Sequence, residues 1–333
     1  MNQQPSPLKA LAFKFDSPVN SLCFSQDGET LALGLGNGGV HIATGDDRKT
    51  HVVHTGAVPV IKPYEGGFIT LSDDGTAKTI APDGTIKDFA DFKGVWTERM
   101  DVHVNGSVAI AVGKNVHLWT NRDADPKIIG PHDGSVTDVH FAPDGMGMAA
   151  AHRDGVTLWA WPHYEPQPMK LGWKGAHLSV TISADKRWIV TGMQEGALHL
   201  WNVALKRDYQ MRGYWAKPTS LAWSRDKKWL ATSGSETVII WPFDKGGPDG
   251  RDPLQLGWSN ATFVTQVAPH PDENVIAAGF EDGAVILVDL ENKKAFNAAA
   301  PSGSPITALQ FSPDGRTLAA GSANGGAVRF SFD

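Results

Sequence analysis

His41, His117 and His199 each precede an aliphatic residue in a short alternating run of this 333-residue chain. Neutral imidazoles are good zinc ligands, so three of them could hold a metal if the fold gathered them. A second set of chemically able groups is acidic: Asp73-Asp74, Asp154, Glu195, Glu236 and Glu281-Asp282. Each sits at or beside a turn that carries glycine. Asp tolerates the dihedrals of tight turns, so ordinary turn chemistry accounts for these residues. The functional alternative is an acidic rim that recognises a basic or amphipathic peptide. No Gly-x-Ser-x-Gly, P-loop or dinucleotide fingerprint is present. The glycine-rich Gly34-Leu35-Gly36-Asn37-Gly38-Gly39 falls between two strand-like runs rather than before a helix.

The elements that must carry these groups repeat. Residues 136–161, VTDVHFAPDGMGMAAAHRDGVTLWAW, have an alternating run, an Asp-Gly turn, a small-residue run, a second Gly turn and a third alternating run. Residues 19–44 and 306–332 share this layout. The residue before the first turn marks a register: Phe24, Pro63, Val102, Phe141, Ile182, Trp223, Pro269 and Phe311, at spacings of 39 to 46. A fourth run, such as RKTHVVH or PLQLGW, precedes the next unit. Four strands joined by tight turns make a small antiparallel sheet that cannot bury both faces alone. Packing successive sheets around a ring solves that problem. The last unit stops after its third strand, and a spare run, Lys9–Phe15, lies at the other terminus, where it can supply the missing strand. The expectation is a single closed all-β propeller of eight four-stranded blades, or seven if unit two or three is discarded. Residues 8–333 form it, behind a flexible segment over residues 1–7.

The sequence resembles the WD-repeat β-propeller family over nearly its whole length. The Asp-Gly turns (Asp27-Gly28, Asp144-Gly145, Asp314-Gly315) carry the resemblance, together with the Trp that ends the third strand: Trp119, Trp159, Trp201 and Trp241. The Trp-Asp dipeptide itself is absent, and Val288-Asp289 is its nearest relic. In the family a Gly-His at the start of each blade bonds an Asp in the second turn. Only Gly130-Pro131-His132, with Asp154, matches that pattern here. Elsewhere the slot holds Gly172-Trp173, Gly213-Tyr214-Trp215 and Gly257-Trp258. Each Trp is either a wedge between blades or an exposed anchor on one rim of the ring. Trp173 and Trp258 share a Leu-Gly-Trp frame and are expected to be wedges. Trp215 is shifted by one residue and is expected to be exposed. Arg153, Gln194 and Glu281 lie beside the second-turn acids and complete the candidate protein-binding set.

Composition limits the function classes. The net charge of −6 gives no reason to expect nucleic acid or an acidic membrane as partner. Cys23 is the one cysteine, which fits a reducing compartment. No basic, apolar leader and no membrane-length apolar run is present, and the reading is cytoplasmic. The three histidines fall in separate units of a ring and cannot converge on one ion. The expected function is a monomeric, non-enzymatic scaffold that binds one or more proteins or peptides, with no metal and no cofactor. The alternative from another class is a propeller enzyme, lactonase-like or resembling a quinone-cofactor dehydrogenase.

Overall fold

A computed structural model describes residues 9–120, 124–160, 168–258 and 262–332. Every regular element among them is a β-strand. Unit one shows the plan, with strands Val19–Phe24, Thr30–Leu35, Gly39–Thr44 and Asp47–Val52 paired antiparallel in that order. The first three are almost wholly buried, and the fourth faces water. Val19–Phe24 therefore lies innermost and packs against the first strands of unit two, Val60–Tyr64, and unit eight, Ile306–Phe311. Apolar clusters bridge successive units. One joins Val19, Leu22 and Leu33 to Ala308 and Ala319, and another joins Ala32 and Ile42 to Ile61 and Phe68. Burial between units, not within one, holds each sheet.

Side-chain hydroxyls on the innermost strands stitch the ring. Ser21 Oγ donates to Val58 O at 2.8 Å, Ser179 Oγ to Pro218 O at 3.2 Å and Thr265 Oγ1 to Ile306 O at 2.6 Å. Thr137 donates in the same way to His177 O, and Thr307 to Val19 O. Each link crosses from one unit to the next, and the last joins unit eight to unit one. Each gives a backbone carbonyl of the neighbouring unit a side-chain donor.

Closure by the N-terminal strand is as expected. Lys9–Lys14 pairs antiparallel with Gly326–Ser331, from Lys9 opposite Ser331 to Lys14 opposite Gly326. Phe13 and Phe15 also meet His41 of unit one edge-on, at 5.6 and 4.9 Å between ring centroids. The segment thus touches both ends of the ring. The flexible segment expected over residues 1–7 lies outside the described residues.

The expected eight separate four-stranded blades are corrected by the hydrogen bonding. The strands join into seven sheets, six of four strands and one of six. Counted by continuous sheets, the propeller has seven blades. The reduction does not come from units two and three, which each keep their own four-stranded sheet. It comes from units four and five. Gly147–Ala160 pairs with Val136–Phe141 through its first half and with Met169–Ile182 through its second. Met169–Ile182 then pairs with Trp188–Met193 through its own second half. The register shift at Arg153/Gly155 stands where the other units turn from second to third strand, whereas that at His177/Ser179 repeats the first-strand bulge of units one, four, seven and eight. A bulge bends a strand without ending it, so the repeat spacing persists in the sequence while the sheet boundary disappears.

Candidate functional site

The turn between second and third strands and the connection from one unit to the next lie on the same rim. In unit one, Val53 N–H donates to Gly38 O at 3.2 Å and Val58 N–H to Leu35 O at 3.0 Å, tying connection to turn. The aromatic slot lies at these junctions, and its occupants are not equivalent.

Trp173 is a half-buried wedge. Its indole stacks on His199 of unit five at 4.0 Å, and its carbonyl accepts the Nε2–H of His177 at 2.9 Å. Trp215 is 78% exposed, in line with the one-residue shift. Tyr214 takes the inward place instead. Its hydroxyl accepts the Trp241 indole N–H at 2.8 Å and lies 2.8 Å from Thr232 Oγ1. Burial and the loss of solvation push that phenol well above its usual range.

Trp258 departs from expectation. It is 61% exposed, not wedged, although it shares the Leu-Gly-Trp frame of Trp173. The cause is local. Gly257 adopts φ +67°, and the ladder skips it, passing from Thr237 opposite Trp258 to Val238 opposite Leu256. That one-residue slip turns the Trp outward. Gly172 has no such conformation and pairs in register with Gly155.

The polar network also lies where the sequence did not point. His132 donates through Nδ1 to Lys114 O at 2.8 Å and accepts the Trp159 indole N–H at 3.1 Å. Asp154 instead accepts Gly175 N–H at 2.9 Å. A fuller network surrounds His54 of unit two. Its Nε2 lies 2.8 Å from Thr70 Oγ1 and its Nδ1 2.9 Å from Thr76 Oγ1. Asp74 accepts hydrogen bonds from Thr55 and Thr76. The sequence signal is His54-Thr55-Gly56, with the glycine after the histidine rather than before it.

Burial pulls His54 and His199 down to about 4, against the opposing pull of Asp74 and Asp208. Both are neutral in the folded chain at neutral pH. Between pH 6.5 and 4 the unfolded chain binds more protons at these positions than the folded one. Their stabilisation is complete above 6.5 and is lost as pH falls through 4. The melting temperature is expected to fall by about 5 °C or more between pH 7 and pH 4.5. The fall should shrink in His54→Gln. A flat profile over that window, measured by scanning calorimetry, contradicts the assignment.

Two cavities on this rim run together. One, of about 460 Å³, is the upper mouth of the central channel, bordered by Asn20, Arg99, Lys217, Gln266, Glu281 and Thr307 among others. The other, of about 580 Å³, lies between Gln194, Glu195, Trp215 and Lys217. Ala216, Lys217 and Thr219 border both, so they form one furrow from Trp215 to the channel. The structure thus brings Trp215, Gln194 and Glu281 to one furrow. Trp173, Trp258 and Arg153 do not line it, and Arg153 lies instead 3.9 Å from the Asp154 carboxylate. Sequence reasoning missed Lys217 and Arg99. Their only signal is position, in connections between an outermost and an innermost strand. Among the described residues no group of three or more His, Cys, Asp or Glu gathers as metal ligands would. Nor is any helix among them long and apolar enough to cross a membrane.

The fold agrees with comparison to known proteins. The family model described as "WD domain, G-beta repeat" matches residues 126–157 and 208–242. The chain is a WD-repeat β-propeller. A model for the WD40 domain of anaphase-promoting complex subunit 4 matches residues 271–331 of this WD-repeat chain. The 77 kDa echinoderm microtubule-associated protein of Strongylocentrotus purpuratus is 21% identical over 62% of the chain. The chain spans only 30% of that relative. The human serine-threonine kinase receptor-associated protein is 21% identical, covering 80% of this chain and 75% of its own. Among solved structures, the C-terminal WD40 domain of Sif2 superposes with a TM-score of 0.78 at 14% identity, covering 99% of this chain and all of that one. A computationally designed protein, Ika8, reaches the same TM-score at 17% identity over 96% of this chain and 97% of its own. WD-repeat propellers are commonly protein-interaction scaffolds and typically non-enzymatic.

Proposed function

We propose that this WD-repeat propeller is a monomeric, non-enzymatic interaction module of the cytoplasm whose binding surface is the furrow from Trp215 to the channel mouth. One observation carries the reading. A large aromatic, 78% exposed, stands at the end of a continuous furrow with charged and amide groups along it. Exposed Trp next to concave polar surface is the usual anatomy of a binding anchor. The scaffold beneath is rigid, because Tyr214 locks the Trp215 loop to Trp241 and Thr232.

The test compares two equally surface-lying aromatics. Proteins retained from native lysate by the wild type should be lost with Trp215→Ala and kept with Trp258→Ala, which lies outside the furrow. Weakening by about 2 kcal/mol or more is expected for Trp215→Ala. Equal retention by both variants refutes the furrow as the binding surface.

A further inference from the structure

Within that furrow, and resting on its being the binding surface, the charges are unevenly engaged. Glu195 Oε1 accepts Ala176 N–H at 3.3 Å, and Glu281 Oε2 accepts Phe263 N–H at 3.4 Å. Both furrow acids are therefore already turned toward backbone donors of their own rim. Lys217, which borders both parts of the furrow, is exposed and makes no ion pair among the described residues. Arg99 gives one N–H to Thr137 O at 3.0 Å and one to Glu98 O at 2.8 Å, and its Nη1 lies 3.9 Å from the Glu98 carboxylate, so Lys217 is the less engaged of the two cations. A guanidinium carries five N–H donors, so those two carbonyls leave most of its capacity free. The other polar groups at the mouth include the Asn20 and Gln266 amides, which add no charge.

We infer that the furrow takes an extended acidic peptide segment from another protein. An apolar side chain would rest on Trp215, and a carboxylate one or two residues along would sit between Lys217 and Arg99. Charge complementarity is local here, because the chain as a whole carries −6 and repels acidic partners elsewhere. Such a site selects its ligand by position rather than by bulk attraction, and its preference should weaken with salt. This reading reverses the basic-peptide partner suggested by the acids of the rim. Those acids keep their charge but are each tied to a backbone N–H, whereas the Lys217 ammonium forms no ion pair among the described residues.

Three fluorescent heptapeptide pools test this, each with Phe or Leu at the third position. The next two positions are Glu in one pool, Lys in another and Gln in the third. At low salt the wild type should retain the Glu pool about tenfold better than the other two. Lys217→Gln should abolish the preference, and Lys217→Glu should reverse it toward the Lys pool. Lys294→Glu, on an exposed outer strand, should leave it unchanged. Unchanged melting curves guard against misfolding at this exposed position. The inference is overturned if the Glu pool is not preferred, or if neither Lys217 variant alters the preference. If Trp215→Ala still lowers retention of every pool in that case, the furrow stands and only its acidic selectivity falls. If no pool depends on Trp215, both fall together.

Discussion

A chain lacking residues 1–15 is expected to melt about 10 °C below the full chain and to self-associate. The deletion removes the outer ladder of Gly326–Ser331, from Ser331 to Gly326, and leaves only its inner ladder to Thr317–Gly321. It also removes Phe13 and Phe15, which pack with the cluster of Val19, Leu33 and Ala319 and flank His41. Cross-strand pairs contribute a few tenths to about 1 kcal/mol each, and partial burial of the two Phe rings adds about 1 kcal/mol apiece. The total is on the order of 5 kcal/mol, a large share of the stability of an ordinary domain. The newly bare strand contains Val328 and Phe330 and presents unpaired backbone groups, which invites strand pairing between molecules. Size-exclusion chromatography and calorimetry check both effects. A truncated chain that elutes and melts like the full one shows that the segment closes nothing.

This closure was legible in the sequence because it is an arithmetic fact about repeats. Unit eight ends one strand short, and one amphipathic strand is left over. The register was legible for the same reason, since an alternating run followed by a turn recurs from Phe24 to Phe311, with Asp-Gly in that turn in units one, four and eight. The sheet count was not. Whether Arg153–Gly155 makes a turn or a bulge depends on backbone dihedrals that Arg-Asp-Gly permits in either form. Asp154 there adopts φ +67° and Gly155 φ +150°. The spacing of units four and five is identical under both outcomes. The site shows the same division. The exposure of Trp215 follows from counting residues along a strand. That of Trp258 depends on Gly257, whose φ no pattern of side chains announces. Lys217 and Arg99 come from connections more than a hundred residues apart, and only the ring brings them to one mouth. The His54 network escaped because its geometry needs a histidine, a threonine and a turn carboxylate in space, not a Gly-His dipeptide in sequence.

The three Trp residues of the slot should separate cleanly under substitution. Trp173→Ala is expected to cost about 2–3 kcal/mol, below the 3–5 kcal/mol of a fully buried Trp because the ring is half-covered. The loss has two parts. A cavity opens beside Leu158, Leu171 and Trp201, and His199 loses the face that stacks on it at 4.0 Å. Water admitted there would relieve the burial that holds His199 near 4, so its titration should move up toward the ordinary range. A merely local cavity would not move that value, and proton NMR of the imidazole distinguishes the two. Trp215→Ala and Trp258→Ala, at exposed positions, should each change stability by about half a kcal/mol or less. Only Trp215→Ala should then weaken partner retention. If Trp173→Ala melts like the wild type, the ring is no wedge. The seam between units four and five would then be held by the continuous strand Met169–Ile182, the Thr137–His177 hydrogen bond and the cluster of Ala149, Val156, Val180 and Trp201.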